Sequence, residues 1–172
     1  GIGITVGAHY KGKIIDVNNG LDGDGPMSPQ RSGGLPVGQL IELCFSGDFT
    51  KEEMIRKVRS NGGLKAYLGT SDALEVEEMI NNGDKKAELI YKALAYQVSK
   101  EIASMSAVLM GEVDGIIITG GLSQSQLIID EISKRITHLG EITVSPGENE
   151  MKALANNGYL VLRDEIEVKE YK

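Results

Sequence analysis

Tryptophan is absent from the 172 residues, phenylalanine occurs twice, and cysteine once. One cysteine excludes an internal disulfide framework, so packing must stabilise the chain. Cys44 lies in an apolar stretch and reads as a small buried hydrophobe, compatible with a reducing, cytoplasmic setting. No apolar run approaches the roughly 20 residues of a membrane helix, so a membrane partner is not expected. An excess of basic charge is also missing: 18 Lys and Arg against 25 Asp and Glu leave a formal charge of −7. Nucleic acid is therefore not expected as a partner, because that contact is mainly phosphate neutralisation. Neither G-x-x-x-x-G-K-[ST] nor G-x-G-x-x-G occurs, which removes the P-loop and the dinucleotide fingerprint.

What is present is an ordinary balance, 41% hydrophobic and 25% charged residues, with a surplus of glycine. A chain of this length forms one globular domain and buries roughly 70% of its unfolded surface. Of 22 glycines, ten fall within the first 38 residues, threaded among apolar and β-branched residues. That pattern marks turns and close backbone approaches rather than a flexible linker. The chain opens on Gly1-Ile2-Gly3-Ile4 without Met or a charged leader, which reads as a cut from something longer.

Ile4 to Tyr10 and Lys13 to Val17, around Lys11-Gly12, form a hairpin signal. Residues 18 to 36 read as a long ordered loop of the kind that carries function. Val37 to Phe45 and Thr50 to Arg59 read as short helices, the second opened by a Thr50/Glu53 capping box. Ser71 or Asp72 caps a further helix running to about Ile80. From Asp84, the residues Ala87, Ile90, Leu94, Val98, Ile102, Met105 and Leu109 recur at intervals of three and four, which predicts one long helix. Val113 to Thr119 reads as a strand covered on both faces, followed by a helix from Ser123 with Leu127, Ile128, Ile132 and Ile136 inward. Glu141 to Val144 is a strand, and Glu148 to about Leu162 a final helix. The order predicts an α/β fold, a sheet covered by helices.

Four segments could carry chemistry. Thr119-Gly120-Gly121-Leu122-Ser123 ends a strand in two glycines and opens a helix, which is either a ligand-binding edge or a plain turn. Gly1-Ile2-Gly3 is either a hairpin lead-in, favoured by composition, or a phosphate-facing turn. Arg31 is fixed in a Gly- and Pro-rich loop and suits bidentate recognition of phosphate or carboxylate; a surface salt bridge is the alternative. Glu148 and Glu150 follow Pro146-Gly147 at a helix start, where dipole preference explains them and a metal carboxylate is the alternative. His9 and His138 read as structural or exposed.

Taken together, the segments Gly3 to Lys13, Asp16 to Asn19, Gly25 to Gly33, Ala66 to Thr70 with Asp72, Thr119 to Leu122, and Pro146 to Met151 resemble a butyrate kinase. That is a member of the acetate kinase branch of the actin, Hsp70 and sugar kinase superfamily. The resemblance implies an actin-like, ribonuclease H-like ATPase lobe, a mixed sheet flanked by helices. It implies the C-terminal nucleotide-binding lobe over residues 1–172, with the N-terminal acid-binding lobe outside the chain. The implied reaction is reversible ATP-dependent phosphorylation of a short-chain carboxylate of the butyrate or isobutyrate class. ATP or ADP with Mg²⁺ would be required, and the partner would be a second copy, as a dimer or larger homo-oligomer. Carried over by position, Gly1 and Gly3 belong to the phosphate turn, and Arg31 is the catalytic cation. Gly120, Gly121 and Leu122 form the adenosine motif, Thr70, Ser71 and Asp72 lie near the nucleoside, and Glu148 or Glu150 serves the metal. The lobe alone is expected to bind nucleotide weakly and not to turn over. The competing reading is a non-catalytic actin-like binding or interaction module.

Overall fold

The computed structural model describes residues 3–147 and 150–168. Strands β1 (Gly7–Tyr10) and β2 (Lys13–Val17) pair antiparallel, with a register shift between Ala8 and His9. Lys11 and Gly12 both take positive φ, so the two-residue turn matches the twist of the strands it joins. Next come α1 (Val37–Phe45), α2 (Lys51–Arg59), α3 (Gly63–Leu68), α4 (Ala73–Asn81) and α5 (Lys85–Val108). The chain then alternates β3 (Gly115–Gly120), α6 (Gln126–Ile136), β4 (Glu141–Pro146) and α7 (Glu150–Leu162). β3 and β4 are parallel, with Ile116 opposite Ile142 and Ile118 opposite Val144.

The helices start where side chains satisfy the free N–H groups of the first turn. Asp84 accepts from Lys86 N at 2.8 Å and Ala87 N at 3.0 Å, and Asp72 rather than Ser71 caps α4 by accepting from Leu74 N. At α2 the Glu53 N–H reaches Thr50 Oγ1 at 3.2 Å while Thr50 N–H reaches Glu53 Oε2 at 2.8 Å, the expected capping box. The Thr50 backbone N–H, followed by its hydroxyl, holds the Glu53 carboxyl below the ordinary glutamate range. A depressed acid contributes stability above its unfolded pKa and loses it as pH falls through the folded value, so this contribution is present at neutral pH and disappears on acidification. Thr50→Ala is expected to lower stability by about 1 kcal/mol at pH 7, read by thermal unfolding. The deficit should shrink in acid, where the wild-type box is itself weakened.

α5 is the axis of the core. Its Ala87, Tyr91, Leu94, Ala95 and Val98 are buried against Leu64 of α3, Val76 of α4, and Ile128, Ile132 and Ile136 of α6. Of the expected apolar stripe Ala87, Leu94 and Val98 are buried, whereas Ile90, Ile102, Met105 and Leu109 are only half-buried. Tyr91, left out of the expected set although it lies four residues after Ala87 and three before Leu94, is among the largest fully buried side chains. α3 was not foreseen, because Gly63-Leu64-Lys65-Ala66-Tyr67-Leu68 is too short to show a period.

Three local expectations need correction. β3 is not covered on both faces: Ile116 and Ile118 pack on the helical core, whereas Ile117 is 74% exposed because no described element overlies that side. The helix expected from Ser123 starts later: Gly121–Gln124 is a 3-10 turn, and Ser125 caps α6 by accepting from Ile128 N. Cys44 is exposed rather than buried, since α1 buries none of its residues. It faces an open groove of about 360 Å³ between α1 and α2, shared with Leu40, Met54 and Val58. No described helix is long and apolar enough to cross a membrane.

Candidate functional site

β3 delivers its last residue, Gly120, at φ 89° and ψ 177°, a conformation essentially restricted to glycine. The chain turns there into the 3-10 segment, pinned by Ser123 Oγ donating to the Gly120 carbonyl at 2.7 Å. Gly120 N–H and Thr119 Oγ1 both donate to the Gly147 carbonyl, at 3.2 and 3.3 Å, so the Pro146-Gly147 turn abuts the same edge.

This edge closes one wall of a cavity of about 160 Å³. Gly120, Gly121, Leu122 and Ser123 line it together with Gly3, Ile4 and Thr5. Leu94, Val98, Ile128 and Ile132 from α5 and α6 make its apolar floor. Four nominated residues far apart in sequence, Gly3 and Gly120 to Leu122, thus share one cleft. The N-terminal wall is held by Asn18, buried, which accepts from Val6 N at 2.6 Å and donates to the Ile4 carbonyl at 3.2 Å.

Arg31 does not line the cleft but stands against its wall. Its Nη1 donates to the Gly20 carbonyl, and a Cβ placed on Gly3 would lie 2.3 Å from that nitrogen. Glycine at position 3 is therefore what admits the guanidinium. Arg31 Nε is buried and has no hydrogen-bond partner among the described residues. Such an unpaired donor costs about 1–3 kcal/mol, so the surroundings must hold it in place.

The loop carrying Arg31 is stitched to α3 by backbone bonds from Leu64 N to Ser28 O at 3.2 Å, Lys65 N to Pro29 O at 3.0 Å and Gly62 N to Gln30 O at 2.8 Å. From the other side, Gln97 Oε1 of α5 accepts from Met27 N at 2.8 Å. Gln97 is a positioning residue the sequence reading missed; its signal was a polar side chain close to the inward stripe of α5.

Thr70, Ser71 and Asp72 form a second group outside the cleft lining. Ser71 Oγ accepts from Gln30 Nε2 at 3.1 Å, which ties this group to the Arg31 loop. Asp72 is engaged in its helix cap, and Thr70 Oγ1 accepts from Asp72 N at 3.1 Å. Gly1 and Glu148 lie outside the described residues, and of Glu150 only its place at the start of α7 is described. His9 and His138 are exposed.

Beneath the cleft, Tyr91 Oη lies 3.0 Å from Glu77 Oε1 and 3.2 Å from Ser125 Oγ. Burial, more than the adjacent Glu77 carboxylate, pushes the Tyr91 hydroxyl well above the ordinary tyrosine range, so it stays protonated.

Helices packed on short strands, with a glycine-rich strand end and a second glycine-bearing segment lining one cleft, make an α/β lobe, and its likeness to acetate kinase structures is that of the actin-like fold. The acetokinase family profile matches residues 1–169, and the chain belongs to that family. Similar solved structures include an acetate kinase of Porphyromonas gingivalis (TM-score 0.81, 21% identity), covering 93% of this chain and 47% of that one. A propionate kinase of Francisella tularensis matches at TM-score 0.76 and 22% identity, over 87% of this chain and 45% of its own. An acetate kinase of Entamoeba histolytica matches at TM-score 0.79 and 16% identity, over 92% and 49%. The chain spans about half the length of these proteins.

Proposed function

We propose that this chain is the C-terminal, nucleotide-binding lobe of a butyrate-class carboxylate kinase. The whole enzyme would convert a short-chain carboxylate and ATP to an acyl phosphate and ADP, reversibly. The observation that carries this reading is the cleft itself: Gly3 and the Gly120-Gly121-Leu122 turn line one cavity, with Arg31 packed against Gly3. In the reaction a carboxylate oxygen attacks the γ-phosphorus, an O–P bond forms, and the bond to the β–γ bridging oxygen breaks as ADP leaves. No covalent protein group is needed, so the demand on the protein is position and charge.

The absence of side chains at Gly120 and Gly121 lets a flat nucleoside approach the backbone, and the apolar floor excludes water from one face. Gly3, with Gly1, is assigned to the phosphate turn, and Arg31 to charge stabilisation of the phosphoryl group in flight. Thr70, Ser71 and Asp72 are assigned to the nucleoside side on the family resemblance, and the Gln30–Ser71 bond ties them to the Arg31 loop. Among the described residues no cluster of three His, Cys, Asp or Glu could hold a metal. Mg²⁺ on a nucleotide needs only one or two protein carboxylates, and Glu148 or Glu150 is the proposed source. The ion would neutralise charge on the phosphate oxygens.

A second copy of the chain is the proposed protein partner. Its support is the exposed apolar side chains Val37, Ile41 and Phe45 on α1.

The test uses the isolated 172-residue chain. Calorimetry with ADP is expected to give measurable but weak binding, and incubation with butyrate and Mg·ATP to give no acyl phosphate by hydroxamate trapping. Acyl phosphate formed by this chain alone overturns the two-lobe assignment.

A further inference from the structure

Polar groups buried in an apolar core are costly unless fully hydrogen-bonded, and a phenylalanine at position 91 would fill nearly the same volume without a hydroxyl. Tyr91 is nonetheless completely buried, and its hydroxyl meets two polar side chains from different helices. Glu77 comes from α4, the helix that begins just after Thr70 and Ser71. Ser125 stands between the 3-10 turn and α6. It is a junction: its backbone N–H donates to the Leu122 carbonyl at 3.1 Å, and its hydroxyl accepts from Ile128 N at 3.2 Å. The same hydroxyl donates its proton to Glu77 Oε1. Tyr91, 3.0 Å from that oxygen, supplies the second proton. The carboxylate oxygen therefore accepts from two hydroxyls, and the middle of α4 and the start of α6 are bound to one point on α5.

A helix cap alone does not require this. Ser125 satisfies Ile128 N without Glu77, and α6 packs through Ile128, Ile132 and Ile136 without Tyr91 Oη. What the cluster adds is a fixed position for Ser125 relative to α4. Ser125 in turn holds the carbonyl of Leu122, in the wall of the cleft. We propose that Tyr91, Glu77 and Ser125 are positioning residues that lock the Gly121–Gln124 turn, and so set the nucleoside side of the cleft. The assignment to nucleoside rests on the function proposed above, whereas the locking of the turn does not.

Two readouts on the 172-residue chain separate these parts. Amide hydrogen exchange at Leu122, Ser123 and Ser125 is expected to rise about tenfold in Tyr91→Phe and Glu77→Ala, the scale of one lost hydrogen bond. ADP affinity by calorimetry is expected to weaken about fivefold to tenfold in the same variants. Ser125→Thr, which keeps the hydroxyl, is expected to retain both values, and Ser125→Ala to lose both. A purely structural role would lower the melting temperature with turn exchange and ADP affinity unchanged. Wild-type exchange in the turn of folded Tyr91→Phe overturns the positioning cluster. Raised exchange in the variants, together with a wild-type chain that has no affinity for ADP, upholds the positioning and overturns the nucleotide reading.

Discussion

Replacing Arg31 by alanine in a full-length protein carrying both lobes is expected to reduce turnover about 10³-fold or more, the scale of removing a cation from a phosphoryl-transfer transition state. ADP affinity should change by less than about threefold, because the nucleoside is held by the Gly120 to Leu122 edge and an interaction made only in the transition state leaves ground-state binding intact. The geometry supports a specific role for arginine. Its guanidinium fits against Gly3 where a side chain could not, and one nitrogen is bound to the Gly20 carbonyl while buried Nε has no partner among the described residues. Arg31→Lys should not restore activity, since an ammonium cannot both hold the Gly20 carbonyl and present a planar fork. Steady-state kinetics of acyl phosphate formation with parallel ADP titrations make the measurement. Unchanged turnover in Arg31→Ala overturns the catalytic assignment and favours the non-catalytic actin-like module.

The second large effect concerns the loop that carries Arg31. A Cβ added at Gly63 would lie 1.7 Å from the Ser28 carbonyl oxygen and 2.8 Å from the Arg31 carbonyl oxygen, in backbone already at φ +56°. These are main-chain atoms and cannot yield by rotating a side chain. Gly63→Ala is expected to lose about 3 kcal/mol or more, from left-handed strain and forced separation together. For a domain of this size that lowers the melting temperature by about 10 °C. Gly83→Ala is the control: φ is +89° but nothing lies within 4 Å, so only the conformational cost of about 1–2 kcal/mol applies. Equal melting temperatures for the two variants in thermal unfolding would remove the close-packing account of the loop.

These two predictions differ in how far the sequence anticipates them. Arg31 could be singled out by its type and setting, one cation among glycines and prolines, and by a resemblance concentrated in that loop. Gly63 could not, because its constraint comes from Ser28, 35 positions earlier in the chain. The capping box at Thr50 and the Asp84 start of α5 were legible for the opposite reason, since a cap is satisfied within three residues of itself. The burial of Cys44 and of both faces of β3 was misread because an apolar side chain states a preference for company without stating whether the chain supplies it. α1 buries nothing here and Ile117 faces outward.

The same division applies to the site. Local pattern identified Gly120-Gly121 as a strand end that opens a helix, and the resemblance connected it with Gly3 and Arg31. Only the folded chain brought Gly3 and Gly120 to the lining of one cavity, left Thr70 to Asp72 out of that lining, and joined Tyr91, Glu77 and Ser125. The single cysteine, the acidic balance, the α/β order and the Thr50 and Asp84 caps were legible in the sequence alone, because each depends on composition or on neighbours a few residues away. The cleft, the seat of Arg31 and the hydroxyl–carboxylate cluster were decided by tertiary structure. They depend on packing between α3, α4, α5 and α6, and long-range packing leaves no short-range period to read.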